Sequence, residues 1–490
     1  MEILKKLGVV LLFLLAQKVE AQISFYHVFS GNGYDRAEGV LQLPDSSYLI
    51  TGTSSSFENA PSQAFLLKLD KNGFHQWSKS YGGAESETGR RVFYVPNYGY
   101  YIVGTSSSNG NAFDGYVVFT DVSGNQIWEQ WYDNGAWERF NDALLLNDTS
   151  LVLIGETTNN PTQQPDHFML RVDKLGTILW SQHSGGDGDD VLQKGVKTSD
   201  STFVVVGSKY VADSMKSKAF IATYNINGSL IWDTITGTDG VYLLNDIQYY
   251  NNELWCVGEN TKTGLSDKDE YFIKLQENGQ FLVEKDYHYA YDKRYVGFVN
   301  YTAPPGNNFF VVSQEYDPNY SYPIGEDFVV SRFVNLFYWD GYGAGYCSID
   351  QDQVNHIIQT NDGYAVLVGF HSYEMLSTGG SSLFIVKLGN DNNFPPDSDN
   401  PTIYSILEVE EKKLNSSISV YPNPFKSELN IQTDKQLKKI EVIDLTGKLI
   451  VEIANPTSVL SLPDLEEGTY ILRIETTDSV EVRKLQKRNF

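Results

Sequence analysis

ISFYHVFSGNGYDRAEGV (residues 23–40) has the plan of SKSYGGAESETGRRV (residues 78–92): a strand, a glycine-bearing loop and an acidic lead into the next strand. The second copy sits inside a repeat of about 52 residues, and a period of that length marks an array of supersecondary units. An apolar strand ending in glycine recurs at YLITG (Gly52), YIVG (Gly104), LVLIG (Gly155), VVVG (Gly207), LWCVG (Gly258) and AVLVG (Gly369), and FFVVS places Ser313 in the remaining gap. A second strand follows each, as AFLLKLD, GYVVFTD, HFMLRVD, AFIATYN, EYFIKLQ, DFVVSRF and LFIVKLG. Four units then carry a tight turn and a tryptophan: DKNGFHQW (Trp77), DVSGNQIW (Trp128), DKLGTILW (Trp180) and NINGSLIW (Trp232). ENGQF (Phe281) and NLFYW (Trp339) are degenerate copies. Glycine ends the turn because a type I turn with a bulge needs a positive φ there.

Each unit therefore has four strands. The seventh, beginning near Asn355, stops at LFIVKLG (residues 383–389) and has no tryptophan strand before FPPDSDNP. Residues 23–40 supply that missing piece, so seven full sets close only as a ring, which shelters the edges an open array would expose. The predicted fold is all-β: a seven-bladed β-propeller over residues 22–393, closed by its N-terminal strand, then a linker over 394–415 and a small Ig-like β-sandwich over 416–490. Six or eight blades are the rival counts, because the sixth unit is inflated by PPGNN and by residues 317–325. Burying a tryptophan removes ~150–250 Å² from water, and ~25 cal/mol per Å² makes this roughly 4–6 kcal/mol of gross stabilisation. That accounts for the tryptophans as wedges between blades.

The ends carry address signals. Lys5 and Lys6, the apolar run of residues 7–15 and Val19-Glu20-Ala21 read as a secretory signal peptide over residues 1–21, cleaved between Ala21 and Gln22. The run falls short of the ~20 apolar residues of a membrane span, and no later segment reaches that length. At the other end, alternating Ile440, Val442 and Tyr470, Leu472, Ile474 are bounded by turns at Thr446-Gly447 and Glu467-Gly468, giving short strands of a small sandwich. The opening Tyr421-Pro422-Asn423-Pro424-Phe425, the turn closing at Gly447 and the turn at Gly468 resemble the C-terminal sorting domain of the type IX secretion system of Bacteroidota. That resemblance implies passage through the periplasm, recognition by the type IX machinery, and release or attachment at the outer surface. The Asp-x-x-Gly-x-x-x-Trp turns resemble the tryptophan-docking repeats of quinoprotein-like propellers, whose holo members bind a quinone and calcium; no cofactor-site motif accompanies them here. Sialidase-type Asp boxes have one residue fewer between aspartate and glycine.

Thirty-seven basic and 62 acidic residues among 490 give a net charge of -25, which opposes binding to nucleic acid or an anionic membrane surface. The propeller region holds 22 basic and 44 acidic residues and so carries nearly all of the excess. Two cysteines cannot make a disulfide framework; Cys256 replaces an apolar strand residue, and Cys347 lies too many units away to be expected as its partner. HExxH, GxSxG, P-loop and GxGxxG motifs are absent, and the seven scattered histidines are expected as isolated surface or loop groups.

The candidate ligand face is a set of acids in the loops that lead into each unit: Asp35, Glu38, Glu85, Glu87, Glu138, Asp187, Asp189, Asp190, Asp246, Asp292, Asp350 and Asp352. In a propeller these loops share one end of the channel, where a carboxylate ring can hold calcium or steer a cationic ligand, or can simply solubilise the protein. No other cofactor is expected. The expected function is a monomeric, non-catalytic secreted or surface propeller binding a glycan, peptide or matrix component, with exposed tyrosines among the 32 contributing. The alternative is a secreted hydrolase or lyase acting on polysaccharide through paired carboxylates at the channel mouth.

Overall fold

The computed structural model describes residues 24–57, 61–110, 113–288, 291–301, 308–316, 327–334, 338–346, 351–373, 380–389, 402–405, 419–421, 425–433, 435–444, 448–462, 465–477 and 480–488. Every regular element among them is a β-strand. The expected signal segment and its cleavage site at Ala21 and Gln22, together with Cys347, Asp350, Pro422, Asn423, Pro424 and Gly447, lie outside these residues. The chain divides into two compact units; the larger runs to Leu407 and the smaller contains Glu408–Phe490.

In the larger unit, seven propeller-like sheets succeed one another among the described residues, six of four antiparallel strands and one of five strands. Their first strands are Asp35–Gln42, Glu87–Val95, Glu138–Leu145, Val191–Lys197, Val241–Tyr250, Asp292–Tyr301 and Gln351–Gln359. In the seventh sheet the fourth place is taken by Phe25–Ser30, which runs antiparallel to Gly380–Lys387 with Phe25 opposite Lys387 and Phe29 opposite Leu383. The pairing expected of the N-terminal segment is present. A buried polar chain ties it across the sheet: the Tyr26 hydroxyl meets His371 Nε2, and His371 Nδ1 meets Asp352 Oδ1. The stretch read as a linker is partly a strand, because Thr402–Ser405 pairs parallel to Phe25–Ser30. Tyr404 stacks on Phe29 with ring centroids 5.4 Å apart, so the segment covers the sheet edge that Phe25–Ser30 would otherwise expose.

Burial explains the run-on hydrophobicity of the repeat. The second strand Gly99–Ser106 is buried along its whole length, because neighbouring sheets cover both faces, whereas the fourth strand Ile178–Ser184 is almost wholly exposed. Leu144 and Ile154 of the third sheet pack with Leu192 and Val205 of the fourth. In the same way Val40, Ile50 and Phe65 of the first sheet pack with Val366, Val368 and Leu383 of the seventh. Trp77, Trp180 and Trp232 are wedges between neighbouring sheets. Trp180 donates from Nε1 to the Ile226 carbonyl at 3.0 Å and lies over Gly228, where a Cβ would stand 3.0 Å from its ring. Gly228 has φ +83°, so the turn needs glycine twice, for its backbone and for the tryptophan resting on it. Gly279 sits against Trp232 in the same way.

The glycine that recurs in six of the seven second strands, two to four residues before the strand ends, has a steric cause. All seven first strands carry a β-bulge opposite that place, at 37/39, 89/91, 140/142, 192/194, 244/246, 295/297 (where Ser313 stands for the glycine) and 354/356. The bulge pushes a backbone carbonyl toward the partner strand, so a Cβ at Gly52, Gly104, Gly155 or Gly369 would lie 1.8 Å from that oxygen. Gly155→Ala should therefore destabilise the protein by about 1–3 kcal/mol, the cost of overpacking a rigid site. A melting curve superimposable on that of the parent would contradict the bulge geometry.

The smaller unit has a three-stranded sheet (Ser419–Tyr421, Glu428–Gln432, Val459–Ser461) and a four-stranded sheet (Leu449–Ala454, Leu437–Asp444, Gly468–Thr476, Val480–Lys487). Leu429, Ile431 and Leu460 from one and Ile440, Val442, Leu472 and Ile474 from the other share one core, which is the arrangement of a β-sandwich. Gly468 opens the strand Gly468–Thr476, and Tyr421 closes the strand Ser419–Tyr421 with its ring exposed.

Candidate functional site

A bulge redirects side chains, and here each one turns residues of a first strand toward a single cavity of about 310 Å³ to which all seven first strands contribute. The bulged residues are Glu38, Arg90, Asn141, Gln193, Asn245, Val296 and Asn355, and all of them line it. The residues that follow are Gly39, Arg91, Asp142, Lys194, Asp246, Gly297 and His356. The volume is that of a small-ligand pocket.

Three of the dipeptides clasp the next sheet in an identical way. Asn141 Nδ2 donates to the Leu192 carbonyl at 2.9 Å while Asp142 Oδ2 accepts the Gly195 N–H at 3.0 Å. Asn245 Nδ2 donates to the Tyr295 carbonyl at 2.8 Å while Asp246 Oδ2 accepts the Phe298 N–H at 3.0 Å. Asn355 Nδ2 donates to the Ala37 carbonyl at 2.8 Å while His356 Nδ1 accepts the Val40 N–H at 3.1 Å. The last clasp joins the seventh sheet to the first.

Charge is distributed by the same ring. Asp142 pairs with Arg91 Nε at 2.9 Å and lies 3.8 Å from Lys194 Nζ. Glu259 faces Lys268 at 2.6 Å and Arg294 at 3.7 Å. Burial lowers the pKa of Lys194 and raises that of Asp246. Burial, with Arg91 and Lys194 nearby, holds His356 neutral well below its ordinary range. Because Nδ1 accepts from Val40, the His356 proton sits on Nε2, 3.4 Å from Lys194 Nζ, an arrangement that further disfavours an ammonium there.

The acids expected to form one ring are placed in several different settings. Asp35, Glu87, Glu138, Asp190 and Asp352 are buried at or just before the starts of first strands. Each accepts from groups of its own blade: Asp35 from Ser54 and Ser56, Glu87 from Ser106 and Ser108, Glu138 from Thr157, Asp190 from the Tyr210 N–H, and Asp352 from His371. Glu38 and Asp246 line the cavity. Asp292 accepts the Lys268 N–H at 2.7 Å, and Glu85, Asp187 and Asp189 are exposed. The structure thus brings two of the twelve to the cavity. Beside Glu138, Asp114 and Asp133 bring carboxylate oxygens within 4.8 Å of its own.

Burial, with Asp166 adding repulsion, pushes the Asp190 pKa up to about 6, well above the ~3.9 of an unfolded aspartate. A raised folded-state pKa contributes stability that is complete below pH ~4 and is lost as pH rises through ~6. Asp190→Asn should therefore raise the melting temperature at pH 7.5 and flatten its decline between pH 4 and 7, an effect of about 1–2 kcal/mol after allowance for partial screening. An unchanged pH profile would show that Asp190 carries no strain.

The cavity groups Arg90, Arg91, Lys194, Arg294 and His356, with Asp142 that pairs with two of them, escaped the sequence reading. For most of them the signal was a polar pair recurring at 90, 141, 193, 245 and 355, at one place in successive first strands. The histidines expected at the surface are partly a correction, since His27, His167 and His371 are buried and hydrogen-bonded. Cys256 is fully buried, and burial raises its thiol pKa, which fits the apolar role expected of it. Among the described residues no Phe, Tyr or Trp lines the cavity.

No helix among the described residues is long and apolar enough to cross a membrane. No curated protein matches the chain in sequence. Among solved structures, PorZ, an essential bacterial surface component of the type-IX secretion system of Porphyromonas gingivalis, is similar at 10% identity and a TM-score of 0.39, over 94% of this chain and 60% of that one. The chain thus spans less than two thirds of PorZ. The polysaccharide lyase Uly1 is similar at 9% identity and a TM-score of 0.45, over 76% of this chain and 94% of that one. The β-propeller domain of the Trilobed protease from Pyrococcus furiosus, described as having an open velcro topology, is similar at 8% identity and a TM-score of 0.40, over 75% and 94%. Residues 419–488 match the secretion system C-terminal sorting domain, which identifies the tail as a signal for export by the type IX system.

Proposed function

We propose that the chain is a secreted or outer-membrane surface-attached binding protein of a Bacteroidota cell, exported by the type IX machinery. Its parts are a signal peptide (1–21), a closed seven-bladed propeller (22–393), a connecting segment (394–415) and the sorting domain (416–490). The clasp of Asn355 and His356 on the first sheet repeats the clasps at two internal junctions, which supports closure. Trp180 on Gly228 and Trp232 on Gly279 support a tryptophan-docking type of repeat, here without a quinone.

The observation that carries a binding role, not a catalytic one, is that the buried acids at the strand starts are already engaged by hydroxyls, backbone N–H groups or His371, while Asp142 and Glu259 are engaged by cations. A general acid must be free to give and take a proton. The ligand is a glycan, a peptide or a matrix component, held by a monomer with no resident cofactor. A glycan array run beside a polysaccharide hydrolase and lyase screen tests this on the mature chain. Binding without turnover is expected; turnover abolished by Glu38→Gln would establish the enzyme reading instead. Calcium should leave the melting temperature unchanged, and a rise that Glu138→Gln removes would assign a metal site to Asp114, Asp133 and Glu138. Truncation after Leu407 should hold the protein in the periplasm of a host with the type IX machinery, and undiminished surface display of the truncated chain would contradict the export route.

A further inference from the structure

The cavity has the opposite charge character to the chain around it. Against a net charge of -25, its lining carries five basic and three acidic side chains among the described residues. Asp142 and Glu259 are committed to Arg91, Lys268 and Arg294, as described above. Arg90 is different. Its only carboxylate neighbour in salt-bridge range is Glu38 at 3.8 Å, and its Nε is enclosed without a hydrogen-bond partner among the described residues. Burial lowers its pKa, and Arg139 and Arg91 add repulsion that Glu38 and Glu156 oppose. An enclosed guanidinium N–H with no acceptor is costly, and the fork of a guanidinium fits a planar or tetrahedral oxyanion.

We propose that the cavity binds an acidic saccharide unit, a sugar ring bearing a carboxylate or a sulfate ester, whose anionic group docks on Arg90. This rests on the binding reading and names the chemistry of its ligand. The volume of about 310 Å³ admits one sugar ring with a few waters. Among the described lining residues no Phe, Tyr or Trp offers a neutral sugar a ring to stack on, whereas Gln193 and Gln353 stand in the wall as polar partners for hydroxyls.

The test is calorimetric titration of the full mature chain with sodium glucuronate, sodium sulfate and glucose at one fixed ionic strength. Saturable binding of glucuronate or sulfate, absent for glucose, is expected; glucuronate alone assigns the carboxylate and sulfate alone the sulfate ester. Arg90→Gln should weaken the anion at least tenfold while melting like the parent. Should that variant fail to fold, Arg90→Lys keeps the charge, loses the fork, and should still weaken the anion. Glucose binding as tightly as glucuronate, or an anion affinity untouched by either variant, overturns the proposal. Neutral glycans bound on an array by a chain that ignores both anions would overturn it too, and would leave the broader binding reading in place.

Discussion

A mature chain lacking residues 22–31 should fail to fold to a cooperatively melting state. Those residues contain Phe25, Tyr26, Val28 and Phe29, all buried, and Phe29 and Val28 completely so. Each is worth about 1.5–3 kcal/mol of apolar burial, so the strand accounts for roughly 6–12 kcal/mol gross, against a net stability of about 5–15 kcal/mol for a folded domain. Its loss also strips the backbone edge of Gly380–Lys387 and leaves Thr402–Ser405 without a partner. Circular dichroism melts and size-exclusion profiles check this. A truncated chain that melts within a few degrees of the parent would mean that the seventh sheet is complete without its N-terminal strand.

The second large effect is expected at Asp142. Its side chain is 4% exposed and sits between Arg91 and Lys194, while its other oxygen takes the Gly195 N–H. Asp142→Leu leaves two largely buried cations without a counter-charge, and breaking such a pair costs about 3–5 kcal/mol. Lys194 can relieve part of this by shedding its proton, since its pKa is already lowered. The loss should therefore be larger at pH 6 than at pH 9. Asp142→Asn, which keeps an acceptor for Gly195, should lose less than the leucine variant. Equal losses in both variants at both pH values would mean that packing, not charge, dominates the site.

Much of the architecture was legible because its causes are local and periodic. The glycine of the second strand, the Asp-x-x-Gly turn and the apolar runs each recur at about 52 residues. The orphan segment 23–40 could be assigned because the seventh unit lacked what it resembles. The site was less legible. A polar pair such as Arg90-Arg91 in a strand looks like a solvent-facing face until a bulge aims it at a cavity shared by seven strands. The acids looked like a ligand ring because their partners are non-local: Asp35, Glu87 and Glu138 each meet a hydroxyl 19 residues further along, on the adjacent strand. That fixed spacing was readable, and it marks these acids as part of the framework. Thr402–Ser405 was hidden by its proline-rich surroundings, although Tyr404 gave it an aromatic face to lay on Phe29.

Everything placed at the cavity depends on the first and seventh sheets meeting around it. Hydrogen exchange of the mature chain, resolved by peptide, reads this directly. Phe25–Ser30 has a pairing partner on both edges, so its amides should exchange as slowly as those of the central strand Thr202–Val211. Exchange of residues 24–30 at the rate of a free terminus, with Gly380–Lys387 unprotected beside them, would mean that the sheets form an open array and that no such cavity exists.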